Sequence, residues 1–265
     1  MHKQRTLLAV FAHPDDESFS MGGAMALYAS HGDRVYLVCA TRGEVGEIRD
    51  TSLATADTLG QVREQELRNA CRLLGIHEPI FLGYRDSGMR GTPENQHPSS
   101  LSQARPADVA ARLAQFLLDL NPDTVVTFDP NGGYGHPDHI AIHHHTTAAF
   151  AALRARSPSA RLYYTSFPRS LVRRWHAVAP EDSPMRRMDP ETLGLPDELI
   201  TTRLDVSPFV ELKINALACH RTQVSPQGPF SQFPREEMLR FLSTEHFHRA
   251  QPPAPQGLQE TDLFP

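Results

Sequence analysis

Hydrophobic residues fall along the chain in short unbroken runs between longer amphipathic stretches, a rhythm that predicts alternating strands and helices. Leu7, Leu8, Ala9, Val10 and Phe11 are apolar without interruption. A run of that length suits a strand buried on both faces, as in a parallel sheet. Residues 21–30 predict a helix, with Ser18 or Ser20 as its N-cap and Gly32 near its end. Residues 34–41, RVYLVCAT, predict a second buried strand. Residues 42–60 are polar and rich in Gly, Thr and Asp, which reads as a loop. Val62, Leu67, Ala70, Leu73 and Leu74 recur at helical spacing across 61–74, and Gly75 closes that helix. A short strand at 79–82 follows.

Residues 84–105 carry Gly, Pro, Ser and Asn and predict a long surface loop, a feature that often serves function. Residues 107–120 predict an amphipathic helix that stops before Pro122. An apolar strand at 124–128 is followed by a polar, glycine-rich stretch at 129–136, then a helix at 139–154 and a strand at 161–167. This alternation points to right-handed βαβ units. The expected fold is α/β: a Rossmann-like three-layer α/β/α arrangement on a mostly parallel sheet, with a C-terminal elaboration. One domain should span 1–250, with 168–198 as an insertion or a cover over one end. Residues 200–206 predict a late strand and 208–223 a helix, capped by Ser207 with Pro208 in its first turn. The tail, 251–265, is rich in Pro and Gln and is expected to be poorly ordered. No internal repeat is visible.

Composition narrows the function classes. A chain of 265 residues is enough for one large α/β domain. A net charge of −5 and a pI near 6.3 argue against a general nucleic-acid surface. No apolar run is long enough to cross a bilayer. The start, Met1-His2-Lys3-Gln4-Arg5, precedes too short an apolar run for a signal peptide. Cys39, Cys71 and Cys219 are odd in number, far apart and without CxxC spacing. They are expected to be free, buried thiols in a reducing cytoplasm. The expected partner is a small molecule, with neither nucleic acid nor membrane, and the sequence is compatible with a homo-oligomer.

The candidate chemistry begins where the first apolar run stops. His13, Asp15, Asp16 and Glu17 put an imidazole and three carboxylates within five residues, with no Lys or Arg among them. Uncompensated carboxylates beside a buried strand are costly unless a cation holds them. A second cluster, Gly132-Gly133-Tyr134-Gly135-His136-Pro137-Asp138-His139, follows the strand ending at Phe128. Ligands of open parallel sheets collect beyond the carboxyl ends of the strands, so neighbouring strands would bring the clusters together.

Catalytic zinc typically takes three protein ligands and keeps one position for water. His13 and Asp16 lie three residues apart across Pro14, whose fixed φ favours a tight, helix-like turn. That turn brings His13 and Asp16 to one face and aims Asp15 elsewhere, close to the water. His136 and His139 repeat the spacing across Pro137; one can bind the metal while the other stays free for proton transfer. The simplest assignment uses His13, Asp16 and His139 as ligands and Asp15 as general base. His136, oriented by Asp138, would stabilise the oxyanion or protonate the leaving group, and Tyr134 is the other candidate for polarising a carbonyl. Spacing thus supports a mononuclear hydrolase without identifying its substrate. Zn2+ is the expected ion, although the same ligand types accept iron(II).

AHPDDE near the N-terminus together with GGYGHPDH in mid-chain resembles the zinc-dependent N-acetylglucosaminyl deacetylases, the LmbE-like or PIG-L-like family. The resemblance runs from residue 6 to about 225. It implies His13, Asp16 and His139 as metal ligands and Asp15 as base. It also implies His136 as the aid to oxyanion and amine, Asp138 as its partner, and Tyr134 as a mobile group polarising the amide. Within the family the chain is most similar to the bacterial thiol-biosynthesis branch (mycothiol and bacillithiol), which deacetylates GlcNAc-inositol or GlcNAc-malate. There Arg63 and Asp86 match residues that hold the sugar and its aglycone, and Glu47 matches a position near the substrate. A sister branch cleaving thiol-conjugate amides carries a lysine where this chain has Ser20, which favours the deacetylase.

Two further classes share these residues. Two histidines and a carboxylate also describe a non-haem iron triad, but ligand order and α/β alternation fit it poorly. A non-catalytic sugar-binding module would keep the geometry without needing every catalytic group, and here all are present. The His143-His144-His145 tract is not a ligand set, because consecutive helical residues point in different directions. His143 alone, one turn after His139, is placed to reach the edge of the site. His220 and Gln223, in ACHRTQ, resemble a segment that closes over the site.

Overall fold

A computed structural model describes residues 3–179, 186, 189–224 and 235–264. Its backbone is a seven-stranded sheet with strands in the order β3-β2-β1-β4-β5-β7-β6. In chain order these are β1 (Thr6–Phe11), β2 (Arg34–Cys39), β3 (Ile80–Phe81), β4 (Thr124–Phe128), β5 (Arg161–Thr165), β6 (Thr202–Asp205) and β7 (Thr244–Gln251). The first five are mutually parallel, whereas β7 runs antiparallel to both β5 and β6. All six residues of β1 are buried, as an apolar run without alternation requires. β1 pairs with β2 on one side (Phe11 opposite Cys39) and with β4 on the other (Ala9 opposite Val126). The chain therefore builds outward from β1 in one direction and returns for β4 on the other. That reversal is the topological switch point where crevices form.

The helices are α1 (Asp16–Ser30), α2 (Leu59–Leu74), α3 (Pro106–Leu120), α4 (Gly132–Gly135), α5 (Pro137–Arg156), α6 (Arg169–Val178), α7 (Pro190–Leu193), α8 (Val210–Leu217) and α9 (Arg235–Leu242). α1, α2 and α8 pack together, as do α3 and α5. The fold is α/β, as expected, and none of the helices among the described residues is long and apolar enough to cross a membrane. Cys39 and Cys71 are buried free thiols, and Cys219 is only half-buried.

Several elements depart from the sequence reading. α1 begins at Asp16, and neither Ser18 nor Ser20 caps it; the cap position is Asp15. The helix starts inside the acidic motif because the turn after β1 is a single tight bend. Within α1 the backbone breaks at Met21 (φ −152°), and the carboxylate of Glu245 on β7 takes the N–H groups of Gly23 (2.9 Å) and Ala24 (2.8 Å). The helix expected at 208–223 is shorter, Val210–Leu217 after a 3-10 turn at Ser207–Phe209. The expected cover contributes α6 and α7, and α7 packs against α4; its residues 180–185, 187 and 188 lie outside the described residues.

β7 has no counterpart in the sequence reading, for a physical reason. Its inward positions include Glu245 and Arg249, charged residues that belie a core strand. Each is paired underneath: Glu245 with Lys213 (2.6 Å) and Arg249 with Glu260 (2.7 Å). The tail is likewise a correction, since it docks. Leu263 and Phe264 are buried, Thr124 Oγ1 donates to the Leu263 carbonyl, and Phe264 packs edge-on against Tyr28 with Arg5 over its ring. Pro and Gln obscured two apolar anchors. Leu263→Ala and Phe264→Ala should each destabilise the fold by about 2–4 kcal/mol, the usual cost of emptying a core site. Urea denaturation followed by circular dichroism measures this; an unchanged midpoint for both would mean that the tail contributes nothing.

Candidate active site

The turn after β1 and the turn after β4 meet because their strands are neighbours. Pro14 sits in the first turn, where Asp16 N–H reaches the His13 carbonyl at 3.4 Å and His13 N–H donates to Asp16 Oδ2 at 2.7 Å. In the second, Gly132 (φ +62°) lies where a Cβ would come within 2.7 Å of the His139 Cβ, so glycine is required for the close approach. His136 then caps α5, with Pro137 in its first turn and His139 just inside it.

The hydrogen bonds fix the orientation of the His13 and His139 imidazoles. His139 Nδ1 lies 3.1 Å from the Gly132 carbonyl, so it carries the proton and Nε2 presents a lone pair. His13 Nε2 lies 3.2 Å from Asp138 Oδ2 and 3.5 Å from Asp86 Oδ1, so its proton faces those acids. The two remaining nitrogens, His13 Nδ1 and His139 Nε2, face each other at 3.1 Å. Asp16 completes the triangle, with Oδ2 3.6 Å from His13 Nδ1 and Oδ1 3.4 Å from His139 Nε2. Tetrahedral zinc with Zn–N near 2.0–2.1 Å spaces its ligand atoms by roughly 3.3–3.4 Å. Lone pairs and a carboxylate at this spacing repel one another unless a positive charge lies between them. The donor set fits a metal ion.

The titration of these groups follows the same electrostatics. Burial pushes His13 down, but Asp86, Asp138 and Asp16 outweigh it and hold its pKa well above normal. His139 is pushed well below normal by burial and by His13. Burial raises Asp15 and Asp16 to about 6. Burial and the neighbouring His13 and His139 lower His136 to about 3. A proton on His13 and a metal ion therefore compete for one place.

The other expected residues take mixed positions. Asp15 is not part of that triangle; its Oδ2 lies 3.3 Å from Arg63 Nη2. Asp138 was expected to orient His136. Its backbone N–H does so, donating to His136 Nδ1 at 3.2 Å, whereas its carboxylate is committed to His13 and to Ser87 N–H (2.9 Å). With Nδ1 accepting, the proton of neutral His136 sits on Nε2. Tyr134 is half-exposed, its ring 5.1 Å from that of His139. Arg63 is buried and spent on the turn, donating to the carbonyls of Pro14 (2.6 Å) and Gly43 (3.0 Å) as well as reaching Asp15. Asp86 is buried; besides facing His13, its Oδ1 closes an Asx turn with Gly88 N–H at 2.8 Å. Glu47 is exposed and paired with Arg49 at 2.7 Å. His143 Nδ1 donates to the Phe128 carbonyl (2.8 Å) beneath the site.

Ligand atoms of His13, His136 and His139, and separately of His13, Asp86 and Asp138, also lie within 4.8 Å of one another. The second group lies on the Nε2 side of His13, where Asp138 and Asp86 face that nitrogen. Beside the site a polar cavity of about 820 Å3 is lined by Arg42, Glu44, Ile48, Leu59, Arg85 and Glu94. Glu44 joins the two, accepting from Asp86 N–H at 3.1 Å.

The sequence reading named Glu17 among the acids of the first turn and His220 in a segment closing over the site, but not that the two pair. Glu17 is fully buried and bonds to His220 Nε2 at 2.8 Å and to Asp15 N–H at 3.0 Å. The available signal was that no base near Glu17 in sequence could neutralise it.

Residues 8–150 match the family described as PIG-L, GlcNAc-PI de-N-acetylase. The chain is 41% identical, over 98% of its length and 94% of the relative's, to a 1D-myo-inositol 2-acetamido-2-deoxy-alpha-D-glucopyranoside deacetylase of Acidothermus cellulolyticus. An N,N'-diacetylchitobiose deacetylase from Pyrococcus horikoshii shares the fold (TM-score 0.60, 23% identity, 93% of this chain and 84% of that one). So does GalB, the 4-carboxy-2-hydroxymuconate hydratase of Pseudomonas putida (TM-score 0.60, 19% identity, 96% and 100%), so the fold by itself does not specify the reaction. On the family match and the near full-length identity together, this chain belongs to the PIG-L family of GlcNAc-PI de-N-acetylases.

Proposed function

We propose that this protein removes the acetyl group from a GlcNAc-inositol type of small molecule, releasing acetate and a free amine. The observation that carries this reading is the convergence of His13 Nδ1, His139 Nε2 and Asp16 beside a carboxylate, Asp15, that is not part of the triangle. The named activity of the full-length relative supplies the substrate class. Zinc is the proposed ion, held by His13, Asp16 and His139; iron(II) suits the same donors. When bound, such an ion polarises the amide carbonyl and acidifies a water molecule.

The chain's own groups carry the protons. Asp15 takes the proton of the attacking water as oxygen joins the acetyl carbon, and returns it to the nitrogen as the C–N bond breaks. His136, neutral because its pKa is depressed, donates its Nε2 proton as a hydrogen bond to the developing oxyanion. That favours oxyanion stabilisation over proton delivery to the amine. Tyr134, half-exposed above His139, is free to swing onto the same oxygen. Asp138 fixes the proton of His13 on Nε2 and keeps Nδ1 for the metal. Asp86 and Glu47 are the proposed contacts to substrate hydroxyls, while the bonds of Arg63 support a part in holding the Asp15 turn.

GlcNAc-inositol should yield acetate and glucosaminyl-inositol, read by mass, and Asp15→Ala should lower kcat about 100–10,000-fold with metal content unchanged. Binding without turnover across GlcNAc-inositol, GlcNAc-malate and simple N-acetyl sugars would instead indicate a sugar-binding module. The acid limb of kcat/KM should lie at or below about pH 6. The carboxylate of Asp15 is the active form, burial raises its pKa to about 6, and a nearby cation draws that value down. Activity is thus lost as pH falls through the limb, and a limb above pH 7 would contradict the assignment. Zinc uptake should release protons and tighten as pH rises, because the raised pKa of His13 makes the proton a competitor. Asp138→Asn should weaken zinc affinity about 10–100-fold, the usual effect of losing a carboxylate behind a ligating histidine. Calorimetry in buffers of different ionisation enthalpy checks both.

A further inference from the structure

A buried ion pair that the chemistry above leaves unused lies against Asp15. Glu17 and His220 are both fully buried, and taking two charges out of water is costly. Glu17 divides its oxygens: Oε1 meets His220 Nε2 at 2.8 Å and the Ser18 hydroxyl, while Oε2 accepts the backbone N–H of Asp15 at 3.0 Å. Asp15 has φ 109° and ψ −28°, a left-handed backbone that is strained for a non-glycine residue. Such a conformation persists only where neighbours over-determine it. Here Glu17 holds the N–H of Asp15 from below, and Arg63 holds the preceding carbonyl and the carboxylate from the side.

His220 is itself fixed by the chain around it. Its carbonyl accepts from Gln223 N–H (2.9 Å) and Val224 N–H (2.8 Å). Two residues on, Thr222 gives its N–H (2.9 Å) and hydroxyl (2.6 Å) to the buried Glu66 of α2. Gln223 reaches the Glu47 carbonyl at 2.9 Å, and the Thr222 carbonyl accepts from Arg49 N–H at 2.9 Å. The segment after α8 is thereby bolted to α1, to α2 and to the loop after β2.

We propose that Glu17 and His220 are positioning residues for Asp15: the pair holds the proposed base in its strained turn, so that the segment after α8 completes the active site. The inference rests on Asp15 being the base.

The experiment compares kcat, KM and zinc content in Glu17→Gln, which keeps the shape but loses one acceptor, and in His220→Ala. Each should lower kcat about 10–100-fold with KM within about twofold and zinc retained, the cost of misplacing a catalytic group by a fraction of an ångström. In an Asp15→Ala background, Glu17→Gln should change the residual kcat by less than about twofold, because a residue acting through Asp15 has nothing left to position. Equal losses in both backgrounds, a rise in KM at constant kcat, or loss of zinc would each overturn the proposal. Should His220→Ala fail to fold, the near-isosteric Glu17→Gln decides alone. Wild-type protein that releases no acetate defeats the functional reading, whereas active wild type with an equally active Glu17→Gln defeats this inference only.

Discussion

Two imidazole lone pairs held 3.1 Å apart, with a carboxylate against both, form the constraint to which the rest of the structure answers. Each nitrogen is kept in that position by a bond on the far side of its ring: Asp138 behind His13, and the Gly132 carbonyl behind His139. Without those bonds either ring could turn its proton inward and the triangle would relax. The cost of assembling like groups is met by the charge that sits among them, whether proton or metal ion. The raised pKa of His13 and the depressed pKa of His139 are two faces of that one requirement.

The sheet makes the constraint possible. β1 and β4 are hydrogen-bonded neighbours, so two turns more than a hundred residues apart in sequence open onto the same crevice. Burial of every β1 residue anchors the first turn, and the glycine at 132 lets the second come close enough to place His139. Asp15 then stands apart from the His13–Asp16–His139 triangle, its backbone left-handed at φ 109°. Adjacent carboxylates thus face different partners, Asp16 the two imidazoles and Asp15 the guanidinium of Arg63. The backbone bears the strain, and buried Glu17 and Arg63 offset it.

The C-terminal third serves the same centre from outside. α8 packs on α1 and α2, and the residues after it bond to both helices and to the loop after β2. β7 supplies Glu245 to the break in α1, and the tail closes over Tyr28 beneath. These contacts rely on buried charged pairs, Lys213 with Glu245 and Arg249 with Glu260, where apolar residues would otherwise be expected.

The sequence by itself determined the α/β alternation, the central strands and the two histidine turns. Long apolar runs and Gly or Pro punctuation are local signals, and local signals survive without a structure. It also brought His13, Asp15, Asp16 and His139 forward as candidates, since their spacing across proline is read directly from the chain. Only the tertiary structure decided what each polar group spends its bonds on. The carboxylate of Asp138 serves His13 and not His136, Arg63 serves the Asp15 turn, and Glu17 finds its partner 203 residues away in His220. β7 and the tail were hidden for the same reason. A buried Glu or Arg reads as surface until its counter-charge arrives from another element, and no one-dimensional pattern carries that pairing.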